Sequence, residues 1–260
     1  MQDDFKASAD FQRDNCLMFR IENIIEPSRL RLIWQSGSEA DRTKYHVADL
    51  VRAGFSYALY YRTMSPDFVD ALRAGFRGHP AFDVRTAVHH HNVLEIFMKR
   101  LPPRNRSDFW LFLEKNGLTG NAAISDFSLL GYSGARLPGD GFCLEIDFAL
   151  ERPPFQYFCE ISGFRYYQGM QMDMEGLRAQ SVFLLPEPSN PKDPNAIQIF
   201  VEGVKIGYIP RSQAPLFNTW LKNASVHAWV SRIEGAPAKP LVFLFVRIAS
   251  TQMHFPALTS

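Results

Sequence analysis

The sequence has few cysteines and no excess of either charge. Cys16, Cys143 and Cys159 are the three cysteines among 260 residues, and their odd number and wide spacing exclude a disulfide framework and a paired-cysteine metal site. The 28 lysines and arginines nearly balance the 27 aspartates and glutamates, which excludes a protein that binds nucleic acid through bulk positive charge. Any contact with nucleic acid must come from a local set of side chains.

Long apolar runs are also missing. No stretch reaches the roughly 18 apolar residues that a membrane-spanning helix requires. The first residues, MQDDFKASADFQRD, are polar and acidic, whereas a secretory signal begins with basic residues that precede an apolar run. We therefore expect a cytoplasmic protein that does not contact a membrane.

Signatures of common catalytic and metal sites are absent from the sequence. It contains no GxSxG nucleophile turn, no GxxxxGK[ST] phosphate loop and no HExxH metal motif. Three histidines follow one another at 89–91, but successive side chains on a helix point about 100° apart and cannot share one ion. Glu145 and Asp147 alternate with apolar residues, as on a half-buried strand. We predict a protein that is not an enzyme and that needs neither a metal nor a cofactor.

The pattern of residue types changes to short β-rich runs after residues 153 and 154. We therefore predict two domains, 1–153 and 154–260. The first mixes β-rich runs with apolar helical stretches at 66–76, 86–101 and 107–118, which indicates an α+β fold. The second contains one helical stretch, 211–221, and six short β-rich runs, which are typical of a small barrel or sandwich. These runs are 155–161, 181–185, 196–201, 205–209, 226–233 and 241–248.

Two segments of the second domain carry side chains suited to nucleic-acid contact. GFRYYQG at 163–169 places Arg165 next to Tyr166 and Tyr167. A tyrosine ring can stack on a nucleobase, which contributes about 1–3 kcal/mol per base, and arginine adds phosphate or cation–π contacts. On a strand the two tyrosines would alternate, so that one of them faces the core and is structural.

The second segment, LLPEPSNPKDPNAIQIF at 184–200, is a loop held by prolines and asparagines. Asn190 and Asp193 can present fixed acceptors to a sugar hydroxyl or to a base edge. Asn190, Asp193 and Asn195 can equally cap a turn through hydrogen bonds between side chain and backbone. The sequence leaves both interpretations open.

These two segments and KIGYIP at 205–210 occur in an order that resembles the HIRAN domain, a module of helicase-like chromatin remodellers and of stand-alone bacterial proteins. The resemblance covers residues 155 to about 250. It implies an OB-like β-barrel that grips the 3′ end of single-stranded DNA. Arg165 and Tyr166 would then contact the backbone and a base, and Tyr167 would support them.

The resemblance also assigns roles in the loop and beyond it. Asn190 and Asp193 would meet the terminal nucleotide, and Arg211 would meet a phosphate. Two positions depart from the family pattern. Lys192 stands where end-binding members have an aromatic residue that sandwiches the base, and Tyr208 stands where those members can have histidine. A lysine attracts phosphate but cannot stack, so selectivity for a strand end is in question.

The first domain resembles the N-terminal subdomain of HipA-like kinase toxins in the segments RLIWQSG, SYALYYRT, HHHNVLEIFMKRLPP and SDFSLLGYSGARLPGD. The phosphate loop and catalytic aspartate pattern of a kinase core do not follow it. The two resemblances together imply an antitoxin-like protein that restrains a separate HipA-like serine/threonine kinase and binds DNA. The alternative is a DNA repair or defence factor that recognises single-stranded 3′ ends.

Overall fold

The computed structural model describes residues 19–37 and 43–250. These residues form two compact units: a C-terminal unit of 19–24, 117–119 and 152–250, and an N-terminal unit of the remaining residues between 25 and 151. The C-terminal unit thus includes two short stretches from the first part of the chain, which the sequence did not indicate. The sequence also predicts one short strand or helix over residues 16–25. Residues 16–18 lie outside the described residues, and 19–25 have no regular secondary structure. None of the described helices is long and apolar enough to cross a lipid bilayer.

The N-terminal unit is built on an antiparallel five-stranded sheet, in agreement with the predicted α+β class. The order of its strands is β4-β3-β2-β1-β5, so the last strand of the unit pairs with the first. The strands are β1 (Arg29–Gln35), β2 (Lys44–Ala53), β3 (Ser56–Tyr61), β4 (Val88–His89) and β5 (Phe142–Ile146).

Four short helices accompany this sheet: α1 (Pro66–Arg73), α2 (Val93–Met98), α3 (Phe109–Lys115) and α4 (Asp126–Ser133). The predicted start of α1 is confirmed, because the Ser65 side chain accepts a hydrogen bond from the Phe68 amide and Pro66 lies in the first turn.

The helix predicted over 86–101 is wrong in length, because only α2 forms within it. Val88 and His89 instead pair with β3, so the histidine run is not the start of a helix. Asn92 then adopts a left-handed conformation with φ of 54°, which an α-helix cannot include, and α2 begins at the next residue.

Each of the six β-rich runs predicted in the C-terminal unit overlaps a strand, and the predicted helix is present. The strands are β6 (Phe155–Glu160), β7 (Phe183–Pro186), β8 (Ile197–Val201), β9 (Val204–Tyr208), β10 (Ala224–Ala236) and β11 (Lys239–Ser250). The helices are α5 (Met174–Leu177) and α6 (Ala214–Asn223), and two 3-10 helices cover Phe164–Tyr166 and Gln168–Gln171.

The strands of this unit form two antiparallel three-stranded sheets, which is consistent with the predicted OB-like fold, although they do not make up one closed sheet. The sheet orders are β10-β11-β6 and β7-β8-β9. Isolated bridges from Ser162 to Tyr208 and from Ser181 to Trp229 connect them at both edges. The pairing between β9 and the chain that follows β6 stops after Ser162. At Gly163, with φ of 76°, that chain leaves strand geometry and continues into the 3-10 helices.

The core of this unit consists of apolar side chains that alternate along the strands. Ile197, Ile199 and Val201 of β8 are buried, and so are Leu244 and Val246 of β11. Side chains that alternate in this way lie on one face of a strand, and each contributes about 1.5–3 kcal/mol when fully buried. The intervening side chains of β8 are left on the outer face of their sheet.

Gly207, with φ of 153°, allows β9 to approach the chain that follows β6. A Cβ atom at this position would lie 2.4 Å from Cγ2 of Ile161 and 2.8 Å from the Ser162 carbonyl oxygen. Gly203 has a positive φ, 79°, because it completes the two-residue turn between β8 and β9. A Cβ atom at Gly203 would meet no atom within 4 Å.

We expect Gly207→Ala to destabilise the protein by about 1–3 kcal/mol, because the added methyl group must displace buried neighbours. Gly203→Ala is the matched control, since it also forces a positive φ but meets no atom, and it should cost about 1 kcal/mol. Urea unfolding of both variants measures the difference. Equal losses would contradict the close approach at Gly207.

Candidate nucleic-acid interface

Strand β9 contains one residue more than the part of β8 that it faces. Phe200 pairs with Lys205 and Ile199 pairs with Gly207, so Ile206 has no partner on β8. An extra residue of this kind is a β-bulge, and it changes which side chains share a face. Ile206 is fully buried, and Lys205 and Tyr208 both lie on the outer face.

The outer face of β9 carries a cluster of two phenol rings around one ammonium group. Nζ of Lys205 lies 4.1 Å from the centre of the Tyr208 ring and 4.9 Å from that of Tyr167. The same Nζ donates a hydrogen bond of 2.6 Å to Oη of Tyr208. The ring centres are 5.6 Å apart, with the planes at 64°. We call Tyr167, Lys205 and Tyr208 the tyrosine–lysine cluster, in which cation–π attraction holds the ammonium group in place.

Glu187 and Asn190 fix the cluster from the side of the loop. Oη of Tyr208 and Nδ2 of Asn190 each donate a hydrogen bond of 2.7 Å to Oε2 of Glu187. The hydrogen bond from Asn190, followed by that from Tyr208, lowers the pKa of Glu187. Desolvation, followed by the hydrogen bond to Glu187, raises the pKa of Tyr208. Glu187 therefore stays ionised and Tyr208 stays neutral at neutral pH.

The side chains of Asn190 and Asp193 organise the loop between β7 and β8. Oδ1 of Asn190 accepts hydrogen bonds from the amides of Lys192, at 2.9 Å, and Asp193, at 3.2 Å. Oδ1 of Asp193 accepts one from the Asn195 amide at 2.9 Å. The turn-capping interpretation is confirmed for Asn190 and Asp193. Asn190 also links the loop to Glu187, so its amide group is used within the protein.

Arg165 and Tyr166 form a second aromatic and cationic pair. The guanidinium carbon of Arg165 lies 4.4 Å from the centre of the Tyr166 ring, and Arg165 also donates a hydrogen bond to the Tyr166 hydroxyl. The predicted alternation on a strand is wrong, because Phe164–Tyr166 is a 3-10 helix. Phe164 takes the core position, Tyr166 is 69% exposed, and Tyr167 is half-buried.

Lys192 and Arg211 are exposed. Lys192 lies in the loop that Asn190 holds, and Arg211 follows Tyr208 by three residues, ahead of α6. Among the described residues, no hydrogen bond or cation–π contact joins either side chain to the tyrosine–lysine cluster. Of the eight predicted site residues, the structure thus brings Tyr167, Asn190 and Tyr208 into one network.

Comparison with known families identifies the fold that carries this site. Residues 154–256 match the family model of the HIRAN domain. The chain contains a HIRAN domain. The match agrees with the resemblance found in the RYY segment, the loop and the KIGYIP segment. It leaves residues 1–153 outside, so their resemblance to HipA-like toxins stays a prediction.

Solved structures align with part of the chain. The crystal structure of the HIRAN domain of human HLTF is 20% identical, with 37% of this chain and 78% of that chain covered and a TM-score of 0.29. The crystal structure of a protein from Lactobacillus plantarum is 25% identical, with 35% of this chain and 91% of that chain covered and a TM-score of 0.29. No curated protein significantly matches this chain.

Two residues of the network around the tyrosine–lysine cluster were missed by sequence reasoning. Lys205 was not recognised as a site residue because it is three residues from Tyr208. In a regular strand, residues three apart lie on opposite faces. Glu187 lies between two prolines of the loop segment. Nothing in that pattern indicates that its carboxylate accepts a hydrogen bond from Tyr208. Among the described residues, no group of three or more acidic, histidine or cysteine side chains could hold a metal ion.

The hydrogen bond from Tyr208 to Glu187 predicts a pH-dependent contribution to stability. Because the folded-state pKa of Glu187 lies below its ordinary value of 4.5, the contribution is present above that value. It is lost as the pH falls through the lowered pKa. NMR titration of the Glu187 carboxyl carbon measures this pKa. We expect Tyr208→Phe to move it upward, whereas Tyr166→Phe should leave it unchanged; an unchanged titration in Tyr208→Phe would contradict the network.

Proposed function

We propose that this HIRAN domain binds single-stranded DNA through the outer face of the sheet β7-β8-β9. The observation that carries the proposal is the tyrosine–lysine cluster, in which Nζ of Lys205 lies within 5 Å of the centres of two phenol rings. An ammonium group beside aromatic rings combines phosphate attraction with surfaces on which bases stack, and this combination is common in single-strand binders.

A single strand fits this face better than a duplex, because the faces of its bases are accessible. Tyr166 adds an exposed ring whose neighbour, Arg165, is cationic. Base stacking on aromatic rings needs no hydrogen-bond code, so the binding tolerates any sequence. The near-neutral chain gives little long-range attraction, and affinity therefore depends on these local contacts.

Lys192 supports binding that does not depend on a strand end. Its side chain is exposed at the loop position where an aromatic residue would close over a terminal base. A lysine there attracts phosphate and leaves the base site open on that side. We therefore propose that the domain accepts internal segments of a strand as well as its 3′ end.

The roles inferred for the rest of the protein stay predictions. These are the restraint of a HipA-like kinase, the alternative role in DNA repair or defence, and the absence of catalysis. The contacts within the N-terminal unit provide no support for any one of them over the others.

The first test compares single-stranded and duplex DNA. In fluorescence anisotropy, a labelled oligothymidine of about ten nucleotides should bind more tightly than a blunt duplex of equal length. Tyr166→Ala should weaken single-strand binding by about 5-fold or more, which corresponds to the loss of one stacked base. Tyr60→Ala is the control, since Tyr60 is 40% exposed but lies in the N-terminal unit. Equal affinity for the two DNA forms would overturn the proposal.

The second test concerns the charge of Lys205. Each phosphate neutralised on a single strand contributes a slope of about 0.7 to the fall of log affinity with log salt concentration. Lys205→Gln should reduce the slope by about that amount. Lys222→Gln removes an exposed charge from α6 in the same unit and should leave the slope unchanged. A slope that is unaffected by Lys205→Gln would mean that this lysine meets no phosphate.

A further inference from the structure

Strand β7 exposes two large apolar side chains on the outer face of its sheet. Phe183 is 63% exposed and Leu185 is 43% exposed. They are two residues apart, so they point to the same side of the strand. Single exposed apolar residues are normal on soluble proteins, whereas these two are neighbours on one face of a strand.

The register of the sheet connects this patch to the tyrosine–lysine cluster. Phe183 pairs with Phe200, which pairs with Lys205. Directly paired residues of an antiparallel sheet project to the same face, so these three side chains form one row across three strands.

A second row runs beside the first, from Leu185 through Gln198 to Tyr208. Neighbouring strands lie about 4.8 Å apart, and each row therefore spans about 10 Å from β7 to β9. The apolar side chains of β7 and the cluster on β9 are thus the two ends of one surface.

We propose that Phe183 is a second stacking platform, which binds another base of the strand that occupies the tyrosine–lysine cluster. This inference rests on the proposed function. The row from Phe183 to Lys205 leaves the ammonium group beside the path between the two base positions, where it meets a phosphate. The ligand is therefore a single-stranded segment of about three or more nucleotides, with its bases laid on the sheet.

A nucleobase fits this patch better than a protein partner. Stable protein interfaces bury about 800 Å² on each partner, whereas the exposed apolar part of β7 consists of two neighbouring side chains. One aromatic ring in the same row as a cation about 10 Å away matches the size and charge of a nucleotide. The surface is also continuous with the cluster already assigned to nucleic acid.

Substitutions at Phe183 separate stacking from simple apolar contact. Phe183→Ala and Phe183→Leu should each weaken binding of a ten-nucleotide oligothymidine by about 5-fold or more, because neither retains a ring. Phe183→Tyr should keep the affinity of the parent protein. Phe55→Ala is the control, since Phe55 is fully exposed in the N-terminal unit. Thermal unfolding of each variant checks that the fold is retained.

A length series locates the second platform. The affinity of the parent protein should rise as the oligothymidine grows from two nucleotides to a length that reaches from the tyrosine–lysine cluster to Phe183, and Phe183→Ala should lack this rise. If Phe183→Ala or Phe183→Leu binds as the parent does while Tyr166→Ala binds weakly, the second platform is overturned and the proposed function stands. If the parent protein does not prefer single strands, the proposed function fails and the second platform fails with it.

Discussion

The extra residue of β9 is the constraint on which the site depends. Because Ile206 has no partner on β8, the strand buries this side chain and turns both Lys205 and Tyr208 outward. At the next residue, Gly207 lets the chain approach Ile161 and Ser162 closely enough to join the two sheets. One local irregularity therefore creates the outer cluster and the connection that supports it.

The charges of the site are held in place before any ligand arrives. Lys205 is fixed between two rings and a hydroxyl group, and Glu187 is fixed by Tyr208 and Asn190. Binding to such a surface does not require these side chains to lose further rotamer freedom, which reduces the entropic cost of association. Glu187 also balances the charge of Lys205, so the surface offers stacking with moderate, rather than strong, attraction for phosphate.

The sequence predicted the elements of the C-terminal unit better than their arrangement. Short β-rich runs located all six strands, and three short segments led to the HIRAN resemblance, because these signals are local. The 3-10 helix at Phe164–Tyr166 and the bulge at Ile206 were not predicted, since both are departures from regular strand geometry that the pattern of residue types does not mark. In the N-terminal unit, apolar spacing over 86–101 suggested a long helix, but pairing of Val88 and His89 with β3 prevented it.

The site residues show the same limit. Tyr167, Asn190 and Tyr208 were identified from their segments, whereas Lys205 and Glu187 became apparent only through their contacts. Photocrosslinking of the intact protein to single-stranded DNA, followed by mass spectrometry of the linked peptides, locates the DNA on the protein. Binding to the outer face of the sheet β7-β8-β9 predicts crosslinks to the segments 163–169 and 183–208. Crosslinks confined to the N-terminal unit or to the hairpin of β10 and β11 would contradict it.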